Sequence, residues 1–367
     1  MVDLSPRPLA LLAGGGTGGH VFPALAVAEG LVARGWQVRL VGSDRGLEAR
    51  LAAERGVPFT ALAARPVVGR GPVAKALALG TIARSALAAR GLIRRENARV
   101  VLGTGGYASA PAALGGWLAG RPVLLLEPNA EAGAANRWLS RLAAEALTAL
   151  PGTERGLSCP ATVTGVPVRR AFFEVPAVPA ERPGVSILVL GGSQGAQQLN
   201  RELPGAVARL AARHADLHVV HQSGRAHEEA TLAAYREAGL TEPTVTVVPF
   251  IDDVAGAMAA ADLIVSRAGA LTVAEIAAAG RPAVFVPLAL AGGHQIANAR
   301  RLADAGAARL VPPEEVGAER LHAALAELAG DRPRLVAMGA AARGLARPGA
   351  VEAIVDRLLE RAGEAPR

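Results

Sequence analysis

Pro8-Leu9-Ala10-Leu11-Leu12-Ala13 runs into Gly14-Gly15-Gly16-Thr17-Gly18-Gly19-His20, and later Val185-Ser186-Ile187-Leu188-Val189-Leu190 runs into Gly191-Gly192-Ser193-Gln194-Gly195-Ala196. Each is a short apolar run that stops at residues without bulky side chains and passes into a helix-like pattern. That reads as strand, turn and helix, with backbone amides bared where a helix dipole begins. Such a turn holds an anion or lets a ligand close on the backbone. One in each half of the chain predicts two similar α/β domains facing a cleft, rather than one nucleotide-binding domain with an appendage.

The flanking pattern agrees. Strand-like runs at Gln37–Val41, Arg99–Leu102 and Pro122–Leu126 alternate with helical stretches at Phe22–Arg34, Leu47–Arg55, Pro72–Arg95 and Glu131–Leu142. This alternation predicts a parallel sheet covered on both faces. A segment with Pro176, Pro179 and Pro183 then interrupts the pattern. The second half repeats it with strands at Leu217–His221, Thr244–Val248, Asp262–Ser266 and Ala283–Pro287, and helices at Glu319–Ala329, Arg332–Arg343 and Val351–Arg361.

With 367 residues and 51% hydrophobic residues, the chain has enough for two cores, which excludes a disordered protein. The net charge of +7 favours anionic partners such as phosphates or acidic lipid. Arginine enrichment with Lys75 as the sole lysine reads as genome bias and lowers the weight of that charge. A single cysteine, Cys159, excludes an intrachain disulfide and fits a reducing cytoplasm. The uncharged stretches Pro8–Ala28 and Val100–Gly120 each contain a glycine turn, so neither reads as a membrane span or signal peptide.

Taken singly, the motifs are ambiguous. Gly14, Gly16 and Gly19 with Asp44 after the second strand fit a dinucleotide fingerprint. His20 reads equally as a polar residue near a helix N-terminus or as a general base. Glu275, three residues after Thr272, fits a capping box on spacing alone; the alternative is a carboxylate accepting vicinal ribose hydroxyls. Asp252-Asp253 reads as a helix N-cap more readily than as a metal pair, and no cluster elsewhere has metal-ligand spacing, so neither metal nor cofactor is expected.

Jointly they are specific. Gly14–Ala24, Gly105-Gly106-Tyr107-Ala108-Ser109, Gly191–Ala196, Phe250-Ile251-Asp252-Asp253 and Gly269–Gly280 occur in an order and spacing that closely resembles the MurG family. Members of that family are bacterial transferases that move N-acetylglucosamine from UDP-GlcNAc onto lipid I to make lipid II. The resemblance implies a GT-B architecture: a Rossmann-like acceptor domain at 1–166, a Rossmann-like UDP-sugar domain at 167–345, and a C-terminal segment 346–367 returning to the first.

It also implies roles. Ser193 and Gln194 would meet the donor diphosphate, Ile251 the uracil, Leu271 and Thr272 the phosphates, Glu275 the ribose, and Gln295 and Asn298 the sugar hydroxyls. His20, Tyr107, Glu127 and Asn129 match the acceptor side, with Gly15, Gly16, Thr104, Gly105 and Gly106 toward the acceptor's diphosphate. Thr17, Gly18, Gly19 and Asn129 would lie within reach of the donor, and Arg169 would meet the departing charge. For Glu275 this reverses the spacing-only reading. Leu126 and Pro128 flank Glu127 where the family writes His-Glu-Gln-Asn, Val166 replaces an Asn, and His294 replaces the first Gln of a pair.

Attack by the acceptor 4-hydroxyl opposite UDP predicts inversion, with His20 or Glu127 taking the proton. A polyprenyl acceptor also implies peripheral attachment to the cytoplasmic face of the plasma membrane. The basic and apolar stretch Arg65–Arg95, with Lys75, Leu79, Ile82 and Arg84 and with Trp117, is the expected patch on anionic lipid. Its plainer reading is a helix packed on a sheet, with solvated arginines. Other cell-wall or division proteins are further partners under the resemblance; nucleic acid is not. Three rival readings are an NAD-dependent dehydrogenase, a nucleotide-sugar epimerase or other GT-B transferase, and a non-enzymatic module for acidic lipid.

Overall fold

A strand covered on both faces has no solvated side to keep polar, and Leu9–Ala13 and Val123–Glu127 are accordingly buried at every position. The computed structural model describes residues 7–15, 18–43, 48–65, 71–192, 194–288 and 293–364, without the side chains of Pro72, Ala74 and Lys75. Gly16, Thr17, Asp44, Ser193 and the Lys75 side chain therefore lie outside the described residues. The chain divides into two compact units, Met1–Val168 with Gly349–Arg367, and Arg169–Pro348.

The first unit runs β1 (Leu9–Ala13), α1 (Gly18–Ala33), β2 (Gln37–Gly42), α2 (Glu48–Glu54), β3 (Phe59–Ala61) and α3 (Pro72–Arg95). It continues with β4 (Ala98–Gly103), α4 (Ala110–Leu118), β5 (Val123–Glu127), α5 (Ala134–Leu139), β6 (Glu145–Thr148) and β7 (Ala161–Val163). The second unit runs α6 (Arg170–Phe173), β8 (Val185–Leu190), α7 (Gln197–Ala211), β9 (Leu217–Gln222), α8 (Glu228–Glu237), β10 (Val245–Val248) and α9 (Val254–Ala260). Then follow β11 (Leu263–Ser266), α10 (Ala270–Ala279), β12 (Ala283–Phe285), α11 (His294–Asp304), β13 (Ala308–Leu310), α12 (Ala318–Ala329) and α13 (Arg332–Gly344).

The last helix, α14 (Ala350–Arg361), belongs to the first unit. Its Ile354, Val355, Leu358 and Leu359 enter the core beside α1, and Arg357 and Arg361 reach the buried Glu145 at 2.7 and 2.9 Å.

Both sheets are parallel, in the orders β3-β2-β1-β4-β5-β6-β7 and β10-β9-β8-β11-β12-β13. The strand order reverses between β1 and β4 in one, and between β8 and β11 in the other. Ligands of open α/β sheets bind outside the carboxyl ends of strands at this reversal. Ala13 pairs with Val41 and Gly103, and Ser266 with Leu190 and Phe285, so each glycine turn leaves its sheet beside the neighbouring strand ends.

The helix expected at Glu131–Leu142 is only Ala134–Leu139: Gly133, extended at φ −66° and ψ 153°, precedes it, and Ser140 turns its hydroxyl onto Arg137 O. The long helix α3 carries the 20-residue stretch Ala76–Arg95, which by length and composition is apolar enough to cross a membrane, whereas Pro8–Ala28 and Val100–Gly120 are each divided between strand and helix. Ile82, Ala89, Leu92 and Ile93 of α3 lie in the core of the first unit. Ile82, expected on the lipid patch, is thus corrected to a core residue. The outer face of α3 keeps Leu77, Leu79 and Leu87 exposed, and Arg90 Nε donates to Leu118 O at 3.2 Å, which ties the exposed Trp117 and Leu118 to this helix.

Candidate functional site

In the first unit, the turns after β1 and β4 are stapled together. The Thr104 hydroxyl lies 2.7 Å from His20 O and 3.2 Å from Ala13 O, and His20 Nδ1 lies 2.8 Å from Thr104 O. A carbonyl only accepts, so Nδ1 carries the proton and the neutral ring keeps its lone pair on Nε2. That tautomer is a base at Nε2. Burial pulls the His20 pKa below the usual 6.5, opposed by the Thr104 bond and the charge of Glu127. Thr104, expected at the acceptor diphosphate, is fully buried and holds the turns instead.

The ring is cupped by Gly105 and Gly106. Gly106 has φ 72° and ψ 166°, a region open essentially only to glycine. A Cβ there would stand 3.1 Å from His20 Cδ2 and 3.3 Å from Nε2. Tyr107 follows at the half-buried start of a short 3₁₀ turn.

Glu127 ends β5 in a buried position, and four donors hold its carboxylate. Oε1 accepts from Asn129 N and Nδ2 at 3.0 and 2.9 Å; Oε2 accepts from Gly133 N and Asn136 Nδ2 at 2.8 and 3.0 Å. A base needs an accessible lone pair, and these donors occupy the carboxylate from both sides. The geometry makes Glu127 the organiser of the 127–136 loop and a fixed negative charge near His20. Asn136, which no motif singles out, is the buried donor that completes this arrangement and also reaches Leu126 O at 3.0 Å. Leu126 itself is fully buried in the sheet. Glu48 was likewise missed; it accepts from Ser43 N and Oγ at 2.9 and 2.7 Å beneath the first glycine turn.

In the second unit, the turn after β8 sits on the segment following β9. Gly195 has φ 75°, and a Cβ there would run into Ser223 O. Gln194 is exposed at the tip of the turn. The helices that begin here, α7 and α10, have no side-chain cap on Ala196 and Gly269, so their first amides are left for an anion.

The α10 helix also decides the reading of Glu275. Its N-cap is Gly269, so Thr272 is already inside the helix and Glu275 lies mid-helix, which removes the capping box. The Glu275 carboxylate is mostly buried, 3.9 Å from the Arg169 guanidinium, which stacks on Phe172 at 4.9 Å. Burial raises its pKa to about 7, against the charge of Arg169. Arg169, expected at the departing diphosphate, stands beside Glu275 with its guanidinium partly exposed.

Leu271 is buried and Thr272 half-buried on the first turns of α10. Asn298 is buried and donates from Nδ2 to Ala268 O at 3.1 Å, while Gln295 Oε1 accepts from Leu288 N at 2.9 Å. Both amides thus hold the strand-end loops beside α10. Arg267, absent from the expected set, clamps the same loops by donating from Nη1 to Val286 O at 3.0 Å and Pro287 O at 3.2 Å. Ile251 is half-buried before α9, and Asp253 caps that helix by accepting from Gly256 N at 2.9 Å.

The chain matches the N-terminal domain of glycosyltransferase family 28 at residues 10–148 and its C-terminal domain at residues 186–354. It is 44% identical over 360 residues to the UDP-N-acetylglucosamine--N-acetylmuramyl-(pentapeptide) pyrophosphoryl-undecaprenol N-acetylglucosamine transferase of Alkalilimnicola ehrlichii, covering 96% of this chain and 98% of that one. A protein of the same name from Halorhodospira halophila is 45% identical over 358 residues, covering 96% and 97%. The crystal structure of Acinetobacter baumannii MurG is similar with a TM-score of 0.79 and 36% identity, over 97% of this chain and 100% of that one.

Proposed function

Since the chain belongs to glycosyltransferase family 28, we infer that it transfers N-acetylglucosamine from UDP-GlcNAc to the 4-hydroxyl of N-acetylmuramic acid in lipid I, giving lipid II and UDP. The observation that carries this reading is that the likeness to the named transferases runs through both units, donor half and acceptor half alike.

The chemistry follows from the two half-sites. His20 Nε2 takes the proton of the attacking hydroxyl as the new bond forms at the anomeric carbon, and the bond to UDP breaks with its electron pair on the β-phosphate oxygen. The imidazolium so formed is favoured by the Thr104 carbonyl on Nδ1 and by the fixed charge of Glu127. Charge growing on the diphosphate meets the open amides of α7 and α10 and the turn carrying Gln194. Glu275 accepts the ribose hydroxyls, with Arg169 keeping its carboxylate available. Tyr107, Gly105, Gly106 and Asn129 belong to the acceptor side, and Ile251, Leu271, Thr272, Gln295 and Asn298 to the donor side.

Protection from heat tests the donor. UDP at about a hundred times its Kd should stabilise the fold by about 2.7 kcal/mol, read as a rise in Tm. NADH should leave the Tm unchanged. Protection by NADH and none by UDP would return the reading to a dehydrogenase.

The acceptor's lipid tail brings the enzyme to the cytoplasmic face of the membrane. The exposed Leu77, Leu79, Leu87 and Trp117 with Arg84 form the surface that meets anionic lipid, each cation adding about 1 kcal/mol. In vesicle co-sedimentation, Leu79→Ser combined with Arg84→Glu should weaken binding to anionic vesicles while activity on a water-soluble acceptor persists. Equal sedimentation of both proteins would remove this face from the docking surface.

A further inference from the structure

Beneath the glycine turn of the second unit, the core is not apolar throughout. His221 on β9, Tyr235 on α8 and Asn200 on α7 are all buried. They form a chain: Tyr235 Oη lies 2.9 Å from His221 Nδ1, His221 Nε2 lies 3.0 Å from Asn200 Oδ1, and Asn200 Nδ2 lies 2.9 Å from Ser223 O. Elementary chemistry fixes its direction. The Ser223 carbonyl only accepts, so Asn200 Nδ2 donates to it and Oδ1 is the accepting end. Nε2 of His221 must then carry the proton, Nδ1 holds the lone pair, and the Tyr235 hydroxyl donates. Burial keeps the ring neutral, its pKa pushed down to about 3.

The chain ends where the turn rests. The carbonyls of Gln222 and Ser223, the two residues after His221, are the floor on which Gly191 and Gly195 lie: a Cβ on either glycine would run into the carbonyl below it. Gly191 N donates to Gln222 O at 3.1 Å. Asn200 also sits near the start of α7, its own N bonded to Ala196 O at 2.9 Å. One buried amide therefore touches both the floor of the turn and the helix whose open amides follow it.

The surroundings make this arrangement informative. Leu217 and Val219, on the same face of β9 as His221, pack with Leu199 and Leu203 of α7 in an apolar core. Apolar side chains at 200, 221 and 235 together would spare the desolvation of three polar groups. A fully satisfied polar chain instead selects one arrangement, because any other leaves a buried donor or acceptor unmade.

We propose that Tyr235, His221 and Asn200 are positioning residues for the donor diphosphate, setting the Ser223 carbonyl and through it the turn Gly191–Ala196. The assignment rests on the placement of the UDP-GlcNAc diphosphate at that turn. Losing the Tyr235 hydroxyl takes the donor from His221 Nδ1, leaves that buried lone pair unpaired and unclamps the ring that sets Asn200. Asn200→Asp sets a carboxylate oxygen against Ser223 O, two acceptors face to face.

The test uses the full-length protein. Nitrogen NMR of the unaltered enzyme should show His221 protonated on Nε2 and bare on Nδ1. In Tyr235→Phe and Asn200→Asp, the Kd for UDP and the KM for UDP-GlcNAc should each rise about tenfold, with the acceptor KM within about twofold of the original. A proton on Nδ1, or a folded Tyr235→Phe protein with UDP affinity within about twofold of the original, overturns the positioning role. Glu275→Ala serves as the control. If it weakens UDP binding and Tyr235→Phe does not, only the positioning role falls; if the unaltered enzyme does not bind UDP, the donor reading falls and takes this one with it.

Discussion

Replacing His20 by glutamine should lower kcat by on the order of 10²–10⁴-fold while UDP affinity stays within about twofold. The reason lies in the tautomer: Thr104 O fixes the proton on Nδ1 at 2.8 Å, so Nε2 is the atom that takes the hydroxyl proton in the transition state. Glutamine can still donate to Thr104 O but has no basic lone pair to offer. The pH profile gives an independent reading. Because burial holds the His20 pKa below 6.5, the acid limb of kcat/KM should fall below that pH, and it should vanish in the variant. Steady-state kinetics from pH 5 to 8 with a soluble acceptor measure both. A variant that keeps near-normal turnover would move the base elsewhere; Glu127, saturated by four donors, is a poor candidate.

Glu275→Ala should weaken UDP binding by on the order of 1.5–3 kcal/mol, the range for hydrogen bonds to a charged group. The pH dependence carries more information. The Glu275 pKa is raised to about 7 in the unliganded fold, whereas accepting two ribose hydroxyls requires the ionised form. UDP affinity should therefore climb as pH rises through 7 and then level off. Stability runs the other way. A folded-state pKa above the ordinary 4.5 favours the protonated carboxyl, so its contribution is full below pH 4.5 and is lost as pH rises through about 7. Glu275→Gln should accordingly melt higher than the original at pH 8 and about equally at pH 5, while binding UDP more weakly at pH 8. Calorimetry and melting scans at the two pH values decide it. A UDP affinity flat from pH 6 to 8 would place the ribose away from this carboxylate.

The sheets and their glycine turns were legible because fully covered strands must be written as unbroken apolar runs, and the turns that follow need glycine where a Cβ would strike the neighbouring backbone, as at Gly191 and Gly195. β3, β7 and β13, three residues each, are too short to display any period; β12, equally short, is legible because Val286 and Pro287 extend its apolar run. Glu275 shows the opposite error. Thr272 and Glu275 have the spacing of a capping box, but the helix starts earlier, at Gly269, and spacing carries no information about where a helix begins. Ile82 looked like a lipid contact because a 24-residue helix shows two apolar faces, and only packing against the sheet tells which one is inside. Asn136, Asn200, His221 and Tyr235 are polar residues in apolar surroundings, and each is explained by a partner distant in sequence. Pattern reading has no access to such pairs.

The most direct test supplies UDP-GlcNAc and a water-soluble lipid I analogue and follows the sugar by proton NMR. The α-linked donor attacked from the face opposite UDP should give a β-linked disaccharide at the 4-hydroxyl of the muramic acid, with one UDP released per linkage formed. An α-linked product, or conversion of the donor to its 2-epimer without transfer to the acceptor, would contradict the account.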